Sequence, residues 1–223
     1  MPRQLILVPT EMERRSLEPI LDPILDPATG HGCSMALCGF GPVAAAARTA
    51  HLITEHAPDR VLLVGIAGRL DDRLAIGDAC RFERVACFGV GAGSGGEFVP
   101  AGALGWHQWP GDADGTSPRI GDLIPCTATG TLGRGRADLL LTVCAAAACA
   151  EDVRLRKQTF PDAAAEDMEG FAVALACRLR GVPVDIVRGI SNTAGDRDTS
   201  RWQVAAALEA AGRLARQIMA EAP

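Results

Sequence analysis

The sequence predicts an α/β fold in which helices cover a sheet. Short apolar runs of strand length alternate with stretches of helical periodicity, and glycine and proline punctuate the junctions. The 223 residues also suffice for one domain with a sizeable core. Residues 4–8 form an apolar run ending in Pro9, and Met12, Leu17, Ile20 and Leu21 follow at helical spacing, so the chain opens as strand, turn and helix. Residues 34–38 read as a second strand. Residues 42–56 read as an alanine-rich helix begun by Pro42, whose missing N–H costs nothing in a first helical turn. Residues 60–65 form a buried strand, residues 77–85 another, and residues 89–96 a glycine-rich loop without internal period, expected to be mobile. Residues 100–118 are irregular and hold both Trp106 and Trp109. Two readings of that pair stand side by side, a cover for a pocket or subunit contact and an ordinary packed loop. Residues 138–143 are a buried strand, 151–159 a short polar helix, and 168–180 an amphipathic helix ended by Gly181 and Pro183. Residues 184–190 form the last strand, and 201–220 a closing helix with Val204, Leu208, Leu214 and Ile218 on its apolar side. No repeat or linker divides residues 1–223, which read as a single domain.

Composition narrows the classes of function. The chain is 48% apolar, but its strongest apolar runs fall far short of the roughly 20 residues of a membrane span, which argues against a membrane partner. The first apolar run passes almost at once into Glu11, Glu13, Arg14 and Arg15, unlike a secretory signal, and a cytoplasmic location is expected. Eight cysteines, at positions 33, 38, 80, 87, 126, 144, 149 and 177, are scattered and include no Cys-x-x-Cys pair, so they read as reduced thiols. Of the four histidines only His31 lies near cysteines, Cys33 and Cys38, without a second ligand pair, and no metal is expected. A net charge of −5 argues against a nucleic-acid partner and for a small molecule.

Five motifs carry candidate chemistry. Thr10-x-x-Glu13 is a capping box by itself, yet it also stands where a strand ends above a sheet, the usual place for a ligand in α/β folds. Gly39-Phe40-Gly41-Pro42 and Gly65-Ile66-Ala67-Gly68 follow strands and permit tight turns or close backbone approach to a ligand. Neither is a dinucleotide-binding or phosphate-cradling motif. Asp167-Met168-Glu169-Gly170 stands at a helix start, where an acid often only complements the helix dipole. Arg188-Gly189-Ile190-Ser191-Asn192 ends a strand before a polar loop, which alone is a turn. The combination is what carries information.

In order and spacing these pieces resemble the purine nucleoside phosphorylase and methylthioadenosine/adenosylhomocysteine nucleosidase superfamily, and within it the futalosine hydrolase family. The resemblance runs nearly end to end and includes Gly77-Asp78, Gly96-Glu97-Phe98-Val99-Pro100, Leu104-Gly105-Trp106, Met168-Glu169-Gly170-Phe171, Arg197-Asp198 and Arg201-Trp202. It implies a three-layer α/β/α domain with a mixed central sheet and hydrolysis of futalosine to hypoxanthine and dehypoxanthine futalosine in menaquinone synthesis. It also implies no metal or organic cofactor, and a homodimer or larger homo-oligomer for which the segment from Trp106 to Trp109 is the candidate contact.

The resemblance assigns roles that make physical sense. Glu13 orients and deprotonates the attacking water as an oxocarbenium-like ribosyl cation forms. Glu169 accepts hydrogen bonds from the ribose hydroxyls and Met168 packs on the sugar face. Where adenine-releasing nucleosidases carry an aspartate after the serine, this chain has Asn192. An amide donates N–H to a 6-oxo group while its carbonyl accepts the N7 proton, which favours hypoxanthine. Ile66, Ala67, Gly68, Cys144 and Arg188 complete the expected substrate-binding set. Ile66 stands where phosphorylases bind phosphate and cannot hydrogen-bond an oxyanion through its side chain, so water is the expected nucleophile. The stretch Cys144-Ala145-Ala146-Ala147-Ala148-Cys149 departs from the Thr- and Gly-rich base loop of the family, and its contacts are expected to be apolar or through backbone. The alternatives are another purine nucleosidase or phosphorylase, acting on inosine, aminodeoxyfutalosine or methylthioadenosine, and a non-catalytic nucleoside-binding protein. Intact Glu13 and Glu169 weigh against the last.

Overall fold

The computed structural model describes residues 3–25, 32–127 and 135–220; His31 lies outside them. The chain runs β1 (Gln4–Val8), α1 (Glu11–Leu25), β2 (Cys33–Leu37), α2 (Pro42–His56), β3 (Arg60–Arg69) and β4 (Ala79–Cys87). It continues with β5 (Gly91–Ala92), β6 (Val99–Pro100), β7 (Leu123–Pro125), β8 (Arg136–Thr142) and α3 (Ala150–Thr159). The last elements are β9 (Ala163–Asp167), α4 (Gly170–Leu179), β10 (Val184–Thr193) and α5 (Val204–Ala220).

The fold is the expected three-layer α/β/α arrangement with a mixed central sheet. In β1, alternate side chains point to opposite faces. Leu5 and Leu7 join Leu52 and Ile53 of α2 and Phe171 and Val173 of α4. Ile6 and Val8 join Leu17 and Leu21 of α1 and Leu208 and Ala215 of α5. Each of the four alternating strand side chains, Leu5, Ile6, Leu7 and Val8, contributes about 1.5–3 kcal/mol of apolar transfer energy, so the strand alternation itself specifies a layer of helices on each face.

Two parallel groups make the sheet, and β7 adds to it antiparallel to β4. Strands β2, β1, β3 and β10 run parallel to one another in that order, and β4, β8 and β9 form the second parallel group. The groups join antiparallel at β10–β4 and again at β3–β9, so β3, β10, β4, β8 and β9 close into a ring. Pairing between β3 and β9 involves only the last two residues of β3, with Gly68 opposite Glu166 and Arg69 opposite Ala165. The carboxyl ends of the two groups therefore meet at one place.

Several boundaries differ from expectation for physical reasons. Strand β9 has no sequence signature because its Ala163-Ala164-Ala165 run has poor strand propensity; all five of its residues are buried, and pairing with β8 fixes its conformation. Strand β7 spans three residues and ends in a proline, too short to show a period. Strand β3 continues through Gly65-Ile66-Ala67-Gly68 rather than turning there. Residues 89–96 are no irregular loop, since Gly91 and Ala92 pair with Pro100 and Val99 in a small ribbon. Helix α4 starts at Gly170 and leaves Met168 and Glu169 in the turn before it. Strand β10 extends to Thr193, with a bulge between Ile190 and Asn192 that re-aims its last residues.

Helix α5 lies directly on β10. A Cβ at Gly189 would stand 2.0 Å from the Ala207 carbonyl oxygen, and backbone cannot give way as a flexible side chain can. Gly189→Ala is expected to lower stability by about 1–3 kcal/mol through overpacking, read as a drop in the urea midpoint. An unchanged midpoint would show that α5 is free to back away from the sheet.

Candidate active site

A cavity of about 320 Å³ opens where the carboxyl ends of β1, β3, β8, β9 and β10 converge. Glu13, Ile66, Ala67, Gly68, Met168, Glu169 and Asn192 all line it, although more than 170 positions separate the first from the last. Arg188 lies beneath the floor and does not line it, being fully buried. Cys144 is exposed and lies outside the lining, to which its loop contributes Ala146 and Ala147 instead.

Glu13 is held from two sides. Its Oε2 accepts from the Thr10 backbone N–H at 3.1 Å and from the Thr10 hydroxyl at 2.6 Å, while the Glu13 N–H donates to Thr10 Oγ1 at 3.3 Å. That is the reciprocal capping box. Its Oε1 accepts from the Ile66 N–H at 3.1 Å, which ties the helix start to β3. The capping and cavity positions therefore coincide in one side chain, and Glu13 is only 3% exposed.

Glu169 caps nothing. It occupies the N-cap position of α4 without a side-chain cap bond, and the Gly170 N–H is instead taken by Asp167 Oδ2 at 2.8 Å. Glu169 reaches across the fold, where its Oε1 accepts from the Gly41 N–H at 3.0 Å and its Oε2 from Arg188 Nη2 at 3.2 Å. Gly41 sits at φ +81° in the Gly39-Phe40-Gly41 turn, a conformation that glycine supplies without steric cost. The turn thus presents an N–H to an acid 128 residues later in the chain.

Arg188 organises this floor. Its Nε donates to Asp167 Oδ2 at 3.0 Å, and Nη2 bonds both Asp167 and Glu169. Asp167 Oδ1 accepts from the Thr142 hydroxyl at 2.6 Å, and the same hydroxyl oxygen accepts from the Phe171 N–H at 2.7 Å, so β8, β9 and α4 are pinned together. Gly65 makes room for the guanidinium, since a Cβ there would lie 2.2 Å from Arg188 Nη1 and 2.7 Å from Glu13 Oε1. Burial outweighs the attraction of Arg188 at Glu169, and together with the neighbouring Asp167 charge it pushes that carboxyl up to about 7.

Asn192 is oriented by its neighbours. Its Nδ2 donates to the Thr193 carbonyl at 2.9 Å, an oxygen that can only accept, so the amide oxygen must face the other way, where it accepts from the Ser191 hydroxyl at 2.8 Å. One N–H and one lone pair of the amide are left for a ligand. Glu166, a further lining acid, accepts from the Ala147 N–H at 2.8 Å and pairs with Arg156, which in turn donates to the Ala145 carbonyl at 2.7 Å. This buried pair fastens the alanine-rich loop.

Asp167, Glu166, Phe40, Arg197 and Trp202 also line the cavity and were not singled out as site residues from sequence. Asp167 carried a signal, an aspartate placed to cap the helix at Gly170. The others depend on non-local contacts. Trp109 packs against the core and donates from its indole to Ser117 Oγ at 3.0 Å, as an ordinary packed loop residue would, whereas Trp106 is 57% exposed; neither lines the cavity.

A family model described as the phosphorylase superfamily matches residues 25–222. The chain belongs to the phosphorylase superfamily. Among superfamily relatives, a futalosine hydrolase of Streptomyces coelicolor is 31% identical over 203 residues, covering 82% of this chain and 79% of the relative. A futalosine hydrolase of Thermus thermophilus is 30% identical over 228 residues, covering 97% and 95%. A 5′-methylthioadenosine/S-adenosylhomocysteine nucleosidase of Tolumonas auensis is 29% identical over 192 residues, covering 78% and 74%. The fold is shared with solved superfamily structures. The nucleosidase of Neisseria meningitidis in complex with methylthio-immucillin-A superposes with a TM-score of 0.75 at 22% identity, covering 99% of this chain and 100% of that one. Futalosine hydrolase of Helicobacter pylori superposes with a TM-score of 0.73 at 18% identity, covering 99% and 98%. Its place among these hydrolases and nucleosidases makes the chain an enzyme that hydrolyses N-glycosyl bonds.

The raised Glu169 carboxyl has a consequence for stability. Between its ordinary value of 4.5 and about 7 the folded protein holds a proton that the unfolded chain has released, so this group's contribution to stability falls as pH rises through that interval. Glu169→Gln is expected to remove this component of the slope, as measured by urea unfolding at several pH values across the interval. Parallel profiles for the two proteins would exclude the shift.

Proposed function

We propose that the protein hydrolyses the N-glycosidic bond of futalosine, releasing hypoxanthine and dehypoxanthine futalosine in menaquinone synthesis, and that it does so in the cytoplasm. The observation that carries the proposal is Asn192 sharing one cavity with Glu13 and Glu169. The hypoxanthine ring meets the amide, whose free N–H donates to the 6-oxo group and whose free lone pair accepts the N7 proton. The ribose hydroxyls donate to Glu169 and Met168 packs on the sugar face. Glu13 takes a proton from the water that attacks C1′ as positive charge develops on the sugar. The C1′–N9 bond breaks and the water oxygen bonds C1′; in the net reaction one water proton ends on the base and the other stays on the new sugar hydroxyl.

Water rather than phosphate is the nucleophile. Ile66 offers an apolar side chain to the cavity, and its N–H is already given to Glu13. Arg188 acts from beneath the floor as a positioning residue for Glu169, and Cys144 makes no contact in this scheme. The protein works as a homodimer or larger homo-oligomer through the surface around Trp106, where Val90, Val99 and Leu104 are exposed beside it. Full activity in a species that sediments as a monomer would reject that part of the proposal.

Chromatography of the base released from futalosine, inosine and methylthioadenosine, with and without phosphate, tests the substrate. Futalosine is expected to yield hypoxanthine fastest and at a rate independent of phosphate. Glu13→Gln is expected to lower kcat by about 10²–10⁴-fold with the fold intact by circular dichroism. Asn192→Asp is expected to move the ratio of adenine to hypoxanthine nucleoside cleavage by about tenfold or more, because it exchanges an amide donor for a carboxylate. An unmoved ratio would remove Asn192 from base recognition.

A further inference from the structure

We propose that Arg156 is a positioning residue for the base: through Glu166 and the Ala145 carbonyl it sets the alanine-rich wall of the cavity against which the purine is held. The inference rests on the proposed nucleosidase reading and adds to it a residue that touches no substrate.

Helix α3 docks on the fold through a charge. Of its ten residues, all described, Arg156 alone is buried, at 6% exposure. A helix ordinarily docks through an apolar stripe; α3 docks through a guanidinium. Stability does not call for that choice, since two apolar side chains of similar volume often serve as well as a buried ion pair or better. What apolar side chains cannot do is bind backbone. Arg156 Nη1 pairs with Glu166 Oε2, Glu166 Oε1 accepts from the Ala147 N–H at 2.8 Å, and Arg156 Nη2 donates to the Ala145 carbonyl at 2.7 Å. The pair therefore grips the loop on both sides of Ala146. Ala146 and Ala147 line the cavity, and their methyl groups cannot hold the loop in register. Asp152, one turn earlier in α3, accepts from the Ala148 N–H at 2.8 Å. The Phe88 ring, its centre 6.0 Å from Arg156 Cζ, holds the guanidinium without using an N–H.

The sheet register places this wall beside the base. Asn192 of β10 is opposite Gly68 of β3, and Gly68 is opposite Glu166 of β9, so the three stand in one row across the sheet. Gly68 adds no side chain between the other two. A purine that meets the Asn192 amide thus lies over Gly68 with Ala147 and Glu166 at its far side. The start of α3 also abuts the turn after Asn192, where a Cβ on Gly195 would lie 2.9 Å from the Cys149 carbonyl oxygen and 3.3 Å from Val153 Cγ2. A displaced α3 is therefore felt on both sides of the base.

The test measures futalosine turnover, the Kd of free hypoxanthine and the urea midpoint in the wild type, Arg156→Met, Arg156→Lys and the double variant Arg156→Met with Glu166→Gln. Arg156→Met is expected to raise KM and the hypoxanthine Kd together by about five- to tenfold, the size of one lost hydrogen bond, with kcat within about twofold. It is also expected to lower the urea midpoint, because Glu166 is left charged without its partner. Arg156→Lys keeps the charge pair but replaces a fork by a single point donor, so a midpoint near wild type with both constants raised about threefold is expected. The double variant decides between positioning and mere support, whether or not Arg156→Met folds. It removes the unpaired charge without changing the shape of the cavity wall, so its midpoint is expected to return towards wild type while KM and Kd stay raised, the Ala145 carbonyl having no donor. Constants that return with the midpoint, or that do not move in any variant, overturn the inference and leave the proposed function standing. Should the wild type release no base from futalosine, the proposed function falls and the hypoxanthine Kd values decide the inference by the same pattern; a wild type that binds no hypoxanthine overturns both.

Discussion

Arg188 is the charge that three acids share, Glu13 from the start of the chain and Asp167 and Glu169 from just before α4. It bonds Asp167 and Glu169 directly and faces Glu13 across the space that Gly65 leaves open. A guanidinium buried this deeply persists only with its partners, since removing one side of such a cluster leaves an uncompensated charge that costs about 3–5 kcal/mol. The cluster therefore fixes β9, the turn before α4 and β10 relative to one another. Within that frame Glu169 can be aimed at Gly41 and the cavity rather than left to cap its own helix.

The sheet's topology explains why such a cluster can exist. Had β3 and β9 been neighbours along their full length, their carboxyl ends would lie at opposite edges of the sheet. They pair only where β3 ends, over Gly68 and Arg69, so two oppositely directed groups of strands deliver Gly68, Glu166 and Asp167 to the same spot. The bulge in β10 then turns Asn192 towards it. Ligand sites at strand carboxyl ends are general in α/β folds; the convergence of two strand groups supplies more side chains than one group could.

The site also separates rigid from adjustable chemistry. Every acid of the floor is held by backbone or by a buried cation, so each is fixed in place by the fold. The buried Glu166–Arg156 pair does the same for the alanine-rich loop, which has no polar side chain of its own to fasten it. At the mouth the opposite holds, with Met12, Phe40 and Arg197 exposed.

Local chemistry made much of this legible in the sequence. The apolar alternation of β1, the proline-started α2 and the Thr10-x-x-Glu13 cap depend on neighbours within a few residues, and those are what a sequence displays. The ordered motifs likewise pointed to Glu13, Glu169 and Asn192. Tertiary structure decided the rest. Strand β9 exists because buried pairing overrides the poor strand propensity of alanine, Asp167 takes over the cap that Glu169 gives up, and Arg188 lies beneath the floor rather than in the lining. Trp202 and Arg197 acquire meaning only once their loop folds over the cavity. Each of these depends on a burial or a partner far along the chain, which sequence spacing cannot express.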